Sequence, residues 1–379
     1  MKKIILASTI PLSLNLFYRG WLKTLRRNGY EVVAVSSPGE DLEDLSAREG
    51  VKTCAVQMYR YITPLNDLKS LRSLIKVFRK EKPQMVHSIT PKAGLLSMIA
   101  AWLTHVPVRV HTFTGLVFPT SAGLRRLILA TTDRLTCLFA THIIPEGEGV
   151  KSDLQRYRIT RKPLHVLGHG NLRGVDMKYY DPDNPQVREK SAELRQEGIF
   201  TFIFVGRMVG DKGVNELVEA FRILNNECPD TRLLLVGWEA EVNPLRPETE
   251  GEISRNPAIE YVGYQDDVRP WLVASDVLVL PSYREGFPNA VLEAGAMGLP
   301  SIVTDINGSN EIIADGVNGL IVPAKDAGRL YEAMKKLYGM RDDLPDMGLH
   351  ARGMVEENFK QSYVRHCLME YYREILNES

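Results

Sequence analysis

Two glutamates, Glu285 and Glu293, bracket a glycine and a proline directly behind the apolar run DVLVLPS, which ends at Ser282. A carboxylate in the turn after such a strand lies at the C-terminal edge of its sheet, where open α/β sheets bind ligands. Pro288 and Asn289 suit a first helical turn, so the amides of Phe287, Asn289 and Ala290 stand at a helix N-terminus and can face an anion. Glu285 then precedes the helix and Glu293 lies about one turn inside it, so the two carboxylates need not share a task. An isolated pair at this spacing reads as a cap and a solvated surface acid. The strand, Gly286 and Pro288 around it favour chemistry instead.

A second cluster, Val205-Gly206-Arg207-Met208-Val209-Gly210-Asp211-Lys212-Gly213, again follows a strand and precedes a helix. Arginine offers a planar fork and lysine a point charge. Arg207 and Lys212 together suit a diphosphate, including one on which negative charge grows as a bond to it breaks.

The elements that would carry these residues alternate. KKIILAS, EVVAVSS, QMVHSI and VRVHTFT read as strands, separated by helical segments at 14–28, 66–80 and 93–104. After residue 200 the alternation resumes with TFIFVGRM, helix 214–226, TRLLLVG, AIEYVGY, DVLVLPS, helix 288–297 and PSIVTD. Such alternation describes βαβ units and parallel sheets. The polar stretch 176–198 reads as the interdomain region, with Asp181-Pro182-Asp183 as linker and not a metal site. We therefore expect a Rossmann-like domain over 1–175, a second over 176–357, and an end helix over 358–379 that packs back on the first, with Tyr363, Cys367, Tyr371 and Ile375 on one side.

The chain of 379 residues has 47 Lys+Arg and 47 Asp+Glu, yet residues 1–180 hold 27 of those cations and 13 of the acids. The first half is thus +14 and the remainder −14, and the first half suits an anionic partner, a phosphorylated acceptor or an acidic bilayer. No aromatic-interleaved basic ribbon or nucleic-acid motif accompanies the charge, which argues against nucleic acid. Cys54, Cys137, Cys228 and Cys367 are far apart, without metal-ligand spacing, and read as reduced thiols of a cytoplasmic protein. The apolar start to Phe17 is interrupted by Ser8, Thr9, Pro11, Ser13 and Asn15, so it reads as a strand and loop, not a secretory signal. No run reaches the ~20 apolar residues that span a bilayer.

The motifs G-R-x4-K at Gly206–Lys212, E-G-x-P-x4-E at Glu285–Glu293, and Glu311 before Asp315-Gly316-Val317-Asn318-Gly319 resemble the signatures of glycosyltransferase family 4. The resemblance covers nearly the whole chain. The segments PLSLNLFYRGWLKTLRRNGYEV, HSITPKAGLLSMIAAWL, HTFTGLVF and LGHGNLRGVD resemble the branch that builds capsular polysaccharide and lipid-linked oligosaccharide. The family implies a GT-B α/β fold, two Rossmann-like doubly wound parallel-sheet domains facing a cleft. It also implies retaining transfer of a hexose or N-acetylhexosamine from a nucleoside-diphosphate sugar, UDP-linked by preference, to a saccharide or polyprenyl-diphosphate-saccharide acceptor, with no cofactor and no metal. By resemblance Arg207 and Lys212 bind the diphosphate, Glu285 the sugar, Glu293 the ribose, while Glu311 supports the site and Tyr264 and Val268 lie beside the base.

Two departures stand out. Ser8-Thr9-Ile10-Pro11-Leu12-Ser13 stands where many family members have a glycine-rich first loop, and Thr114 occupies the slot before Gly115 where the family often has a histidine near the active centre. His111 is the candidate substitute, although strand alternation points it away from Thr114, and a structural role is equally open. His87, Thr90 and Lys92, with Thr114 and Gly115, are the candidate acceptor contacts. Helix 123–139, with Arg125, Arg126 and Arg134 among apolar residues, reads either as a core helix or as a peripheral membrane contact at the inner face of the cytoplasmic membrane. A non-catalytic sugar-nucleotide-binding subunit and a nucleotide-sugar epimerase are the alternatives. A dinucleotide oxidoreductase is disfavoured, because no G-x-G-x-x-G follows the first strand.

Overall fold

The computed structural model describes residues 1–59, 61–240 and 242–377. The chain forms two compact units, Met1–Gly174 with the C-terminal segment from Ser362, and Val175–Gln361.

The first unit carries six parallel strands, β1 (Lys3–Ala7), β2 (Glu31–Ser36), β3 (Lys52–Ala55), β4 (Met85–Ile89), β5 (Val108–Phe113) and β6 (His142–Pro145), in the order β3-β2-β1-β4-β5-β6. Alternate residues of each strand enter opposite layers. Ile5, Ala7, Val33 and Val86 face one core, while Ile4, Leu6, Val32 and Met85 face the other. Both faces are covered, so the central strands are apolar throughout. The C-terminal helix Gln361–Asn377 supplies Leu368, Tyr372, Ile375 and Leu376 to the second of these layers, so the end of the chain completes a core that its beginning opened. Helix 14–28 of the sequence reading is two helices, Pro11–Tyr18 and Trp21–Arg27, because Gly20 turns between them at φ 74°.

The second unit repeats the plan with β7 (Phe200–Val205), β8 (Thr231–Val236), β9 (Ile259–Gly263), β10 (Val277–Leu280), β11 (Ser301–Thr304) and β12 (Gly319–Val322), ordered β12-β11-β10-β7-β8-β9 and parallel throughout. The polar region 176–198 is not plain linker. Asn184 accepts hydrogen bonds from the amides of Gln186 and Val187 and starts a helix over Pro185–Leu194.

In each sheet the strand order reverses once, between β1 and β4 and between β7 and β10. At such a point the loops leaving the two strands diverge to opposite faces and open a crevice at the carboxyl edge.

Candidate active site

Arg207 and Lys212 leave β7, and Glu285 leaves β10, so the two motifs meet across the reversal of the second sheet. Lys212 Nζ donates to Glu285 Oε1, joining residues 73 apart in sequence. Both side chains keep limited exposure, 19% and 13%, enough for a ligand to reach them. Arg207, half-buried on the same loop, enters no ion pair with the described residues. One cation of the pair is thus held by a carboxylate and the other stands open.

The loops are locked by residues the motif reading passed over. The amide of Tyr283 donates to the carbonyl of Asp211 (2.9 Å), and Arg284 pairs with the Asp211 carboxylate (2.7 Å). Tyr283 donates its hydroxyl to Glu216 (2.6 Å), which also pairs with Arg246 (3.1 Å). Burial, reinforced by Glu216, pushes the Tyr283 phenol up, so it stays a donor. Asp211 was visible beside Lys212 as a charge in a turn; its partner was not, because it lies on another strand's loop.

Gly213 permits the contact. Its φ is +73°, and a Cβ there would sit 2.0 Å from the carbonyl oxygen of Pro281, at the end of β10. The second close approach is at Gly308, φ +76°, where a Cβ would meet the carbonyl of Gly286 at 2.3 Å. The amide of Gly308 donates to Glu311 (3.0 Å), so Glu311 fixes the turn that supports Gly286 and Phe287. Asn318, by contrast, serves the fold: it accepts from the Ala314 amide (2.8 Å) and donates to the carbonyl of Ile312 (3.0 Å), shaping the turn into β12.

Helix Asn289–Ala296 begins where the sequence places it, with Pro288 as its N-cap. Its first intrahelical donors are Val291 and Leu292, both to the Pro288 carbonyl, so the amides of Asn289 and Ala290 precede the ladder at the positive end of the helix. Phe287 is buried against Phe359, ring centroids 5.2 Å apart, and Glu293 is half-buried one turn in. Tyr264 is exposed after β9, edge-on to Trp238 at 5.7 Å, and Val268 packs against the core.

In the first unit the loops after β1 and β4 are joined by hydroxyls. Thr9 Oγ1 and Thr90 Oγ1 lie 2.8 Å apart, the Thr9 amide donates to Thr90 (3.1 Å), and the Ala93 amide donates to Thr9 (3.2 Å). Thr90 is held at φ +70°, a conformation that costs a β-branched residue free energy. Thr114 and Gly115 are half-buried in the loop after β5.

Three of the expected contacts already have partners within the first unit. His87 is fully buried, with Nδ1 against the Tyr372 hydroxyl and Nε2 2.7 Å from Thr112 Oγ1, so neither ring nitrogen is open to an acceptor. His111 is 2% exposed, with Nδ1 2.9 Å from Ser88 Oγ, and its ring fills the space beside Gly94. Burial lowers both imidazoles to about 3, which favours their neutral forms. Lys92 is an ion-pair partner, donating to both Asp67 carboxylate oxygens (2.6 and 2.7 Å) and to the Tyr61 carbonyl (2.5 Å). Each was legible as a strand end or helix start; a sheet covered on both faces hides the strand positions, and the lysine's partner lies on the preceding helix.

Among the described residues no cluster of His, Cys, Asp or Glu is arranged to hold a metal ion.

Comparison with known proteins places this geometry. Residues 199–340 match the glycosyl transferases group 1 family, and residues 17–170 match the glycosyl transferase 4-like domain. The capsular polysaccharide biosynthesis glycosyltransferase CapM of Staphylococcus aureus is 31% identical over 379 residues, 100% of this chain and 98% of that protein. A UDP-Gal:alpha-D-GlcNAc-diphosphoundecaprenol alpha-1,3-galactosyltransferase of Escherichia coli is 31% identical over 291 residues, 73% of this chain and 72% of its own. The solved sucrose-phosphate synthase of Thermosynechococcus elongatus superposes with a TM-score of 0.82 at 21% identity, covering 100% of both chains, and shares the two-sheet GT-B fold.

Proposed function

The chain belongs to the group 1, family 4 glycosyltransferases, and from that premise we propose that it transfers a sugar, with retention of anomeric configuration, from a UDP-linked donor to a polyprenyl-diphosphate-linked saccharide in surface polysaccharide assembly. The donor site is the second unit and the acceptor site the first. The observation that carries the reading is the Lys212–Glu285 pair at the reversal of the second sheet, beside an open arginine and a helix N-terminus. The CapM and galactosyltransferase likenesses favour capsule-type products and a lipid diphosphate acceptor.

The residues divide the work by charge. Arg207 and the Asn289 and Ala290 amides receive the diphosphate. As the donor enters, Lys212 turns from Glu285 toward the phosphates, and the freed carboxylate takes the sugar hydroxyls. Glu293 holds the ribose. The bond from C1 of the sugar to the diphosphate oxygen breaks as an acceptor hydroxyl attacks C1 from the same face, and the acceptor proton passes to the departing diphosphate. No protein nucleophile is required. The cations and helix dipole stabilise the leaving charge, the task a metal performs elsewhere.

A panel of nucleotide sugars, assayed for binding and slow hydrolysis with and without EDTA on wild type and Glu285→Ala, tests this. We expect one UDP-sugar to be preferred, turnover to survive EDTA, and the variant to lose it. Absence of binding by every nucleotide sugar overturns the donor site; loss of turnover in EDTA alone overturns metal independence.

A further inference from the structure

The second sheet is hollowed at both edges. Its carboxyl edge carries the motif loops. Its amino edge opens a cavity of about 420 Å³ at the starts of β7, β10 and β11, walled by Phe200, Asp276 and Pro300 and bounded by Leu344 and Pro345 at the head of helix Leu344–Asn358. A space of this volume is of the size that small molecules occupy in proteins. Arg207, Lys212 and Glu285 take no part in its lining, because they leave the same strands at the other end.

Two arginines line this cavity, and both are tethered to the start of β7. Arg195, in the turn after helix Pro185–Leu194, donates Nη2 to Asp276 (2.8 Å), whose other oxygen accepts from the Thr201 amide (2.7 Å). Arg341 stands 5.2 Å from the centroid of the Phe200 ring and 4.2 Å from that of Tyr338, and donates Nη2 to Asp230 (2.5 Å). The anchors, Phe200 and Thr201, are consecutive. A guanidinium forks several N–H donors, and each of these gives Nη2 to one carboxylate, so both keep donors for a ligand. The half of the chain after residue 180 is −14, yet the charges lining the cavity are Arg195, Arg341 and Asp276, a surplus of one cation. The acids of the same turns, Glu197, Asp342, Asp343 and Asp346, are exposed and lie outside the lining. The positive end of a 15-residue helix adds to the surplus.

We propose that this cavity binds a small organic phosphate, the phosphate held by Arg195 and Arg341 and the body of the molecule laid on Leu299, Pro300 and Leu344. Phosphate is favoured over carboxylate by the two separate cations. A phosphate monoester carries about two negative charges at neutral pH on oxygens that point in different directions, whereas a carboxylate has one charge in one plane, which a single fork satisfies. The ligand would brace the starts of β7 and β10, the strands that carry Arg207 and Glu285 at their far ends. The site is independent of which sugar is moved, and its test is read without turnover.

The test is calorimetric titration of the full chain with phenyl phosphate, with and without saturating UDP. Binding is expected in both conditions, tighter than that of inorganic phosphate, which lacks the apolar body, and tighter than that of benzoate, which lacks the second charge. R195Q and R341Q are each expected to bind phenyl phosphate about tenfold or more weakly, with far-UV circular dichroism as in wild type. Should R195Q misfold through loss of the Asp276 pair, R341Q, on the other turn, decides. No binding, or binding that both variants retain, overturns the proposal. So does displacement by UDP, because the phosphate then sits in the donor crevice, and equal affinity for benzoate overturns the assignment to phosphate.

Discussion

Gly213→Ala separates the part of the site that rests on backbone approach from the part that rests on charge. Alanine at φ +73° costs about 1 kcal/mol for the left-handed conformation alone. Its Cβ would also stand 2.0 Å from the Pro281 carbonyl, so the 210–213 turn and the end of β10 must part by about 1 Å, an overpacking that adds roughly 1–3 kcal/mol. The sum is about 2–4 kcal/mol, and the displacement falls on the peptide next to Lys212. Gly29→Ala is the matched control: φ is +85° and nothing lies within 4 Å of the new Cβ, so about 1 kcal/mol is expected. Urea denaturation followed by circular dichroism measures the stabilities, and calorimetric titration with UDP measures the site. Gly213→Ala should be the less stable of the two and bind UDP at least tenfold more weakly, with Gly29→Ala unchanged in binding. Equal stabilities and equal UDP affinities would show that the β7 and β10 loops do not depend on this contact, and the account of how Lys212 is placed would fail.

Glu285→Gln removes the carboxylate and leaves the Lys212 cation unpaired; charged hydrogen bonds of this kind contribute about 1.5–3 kcal/mol, so donor-hydrolysis kcat/KM should fall roughly 10–150-fold, and an unchanged value refutes a contact with the donor. Tyr372→Phe strips the hydroxyl from buried His87 Nδ1 and should destabilise the first unit by about 1–3 kcal/mol while leaving UDP affinity untouched, as thermal unfolding and titration will report. His87 and His111 are held near 3 when folded against about 6.5 unfolded, so the unfolded chain binds more protons between those values. Stability should therefore be complete above about pH 6.5 and fall with acid, opposed in part by Asp133, whose raised carboxyl favours the folded state at lower pH. His111→Gln should flatten the acid limb in urea titrations at several pH values; a slope identical to wild type refutes the burial argument.

The legible parts of the sequence were those whose signal is local. Strands buried on both faces are nearly all apolar, which is why β7, β8 and β10 were readable within a residue or two, and Gly-Arg and Glu-Gly-x-Pro announced turns at their ends. β3 is an edge strand, four residues long and without a buried position, so it carried no periodicity to read. The helix at Pro185–Leu194 had a local signal, the Asn184-Pro185 cap, outweighed by the surrounding charge. What could not be read was pairing over distance. Tyr372 meets His87 across 285 residues and Glu285 meets Lys212 across 73, and composition is silent on which strand neighbours which. The burial of His87 and His111 escaped the sequence for a related reason: alternation decides which layer a strand residue enters, but in a sheet covered on both sides neither layer is solvent.

The same topological accident places both candidate sites, yet the chain furnishes them differently. Around the β1–β4 reversal the contacts are hydroxyl to hydroxyl and hydroxyl to amide, Thr9 with Thr90 and Ala93, and the nearby cation, Lys92, is already taken by Asp67. Around the β7–β10 reversal they are ionic, Lys212 with Glu285 and Arg284 with Asp211, with Arg207 left over. A neutral, hydroxyl-lined crevice suits a sugar, whose hydrogen bonds are donor and acceptor in equal measure. An ionic crevice with a surplus cation suits a diphosphate, and its carboxylate is freed when Lys212 turns to the phosphates. The difference in residue type between two sheets of identical order is what the proposed division of donor and acceptor between the units rests on. It also predicts that exchanging the ionic residues for hydroxyls abolishes nucleotide binding without unfolding the second sheet, whose core lies beneath them.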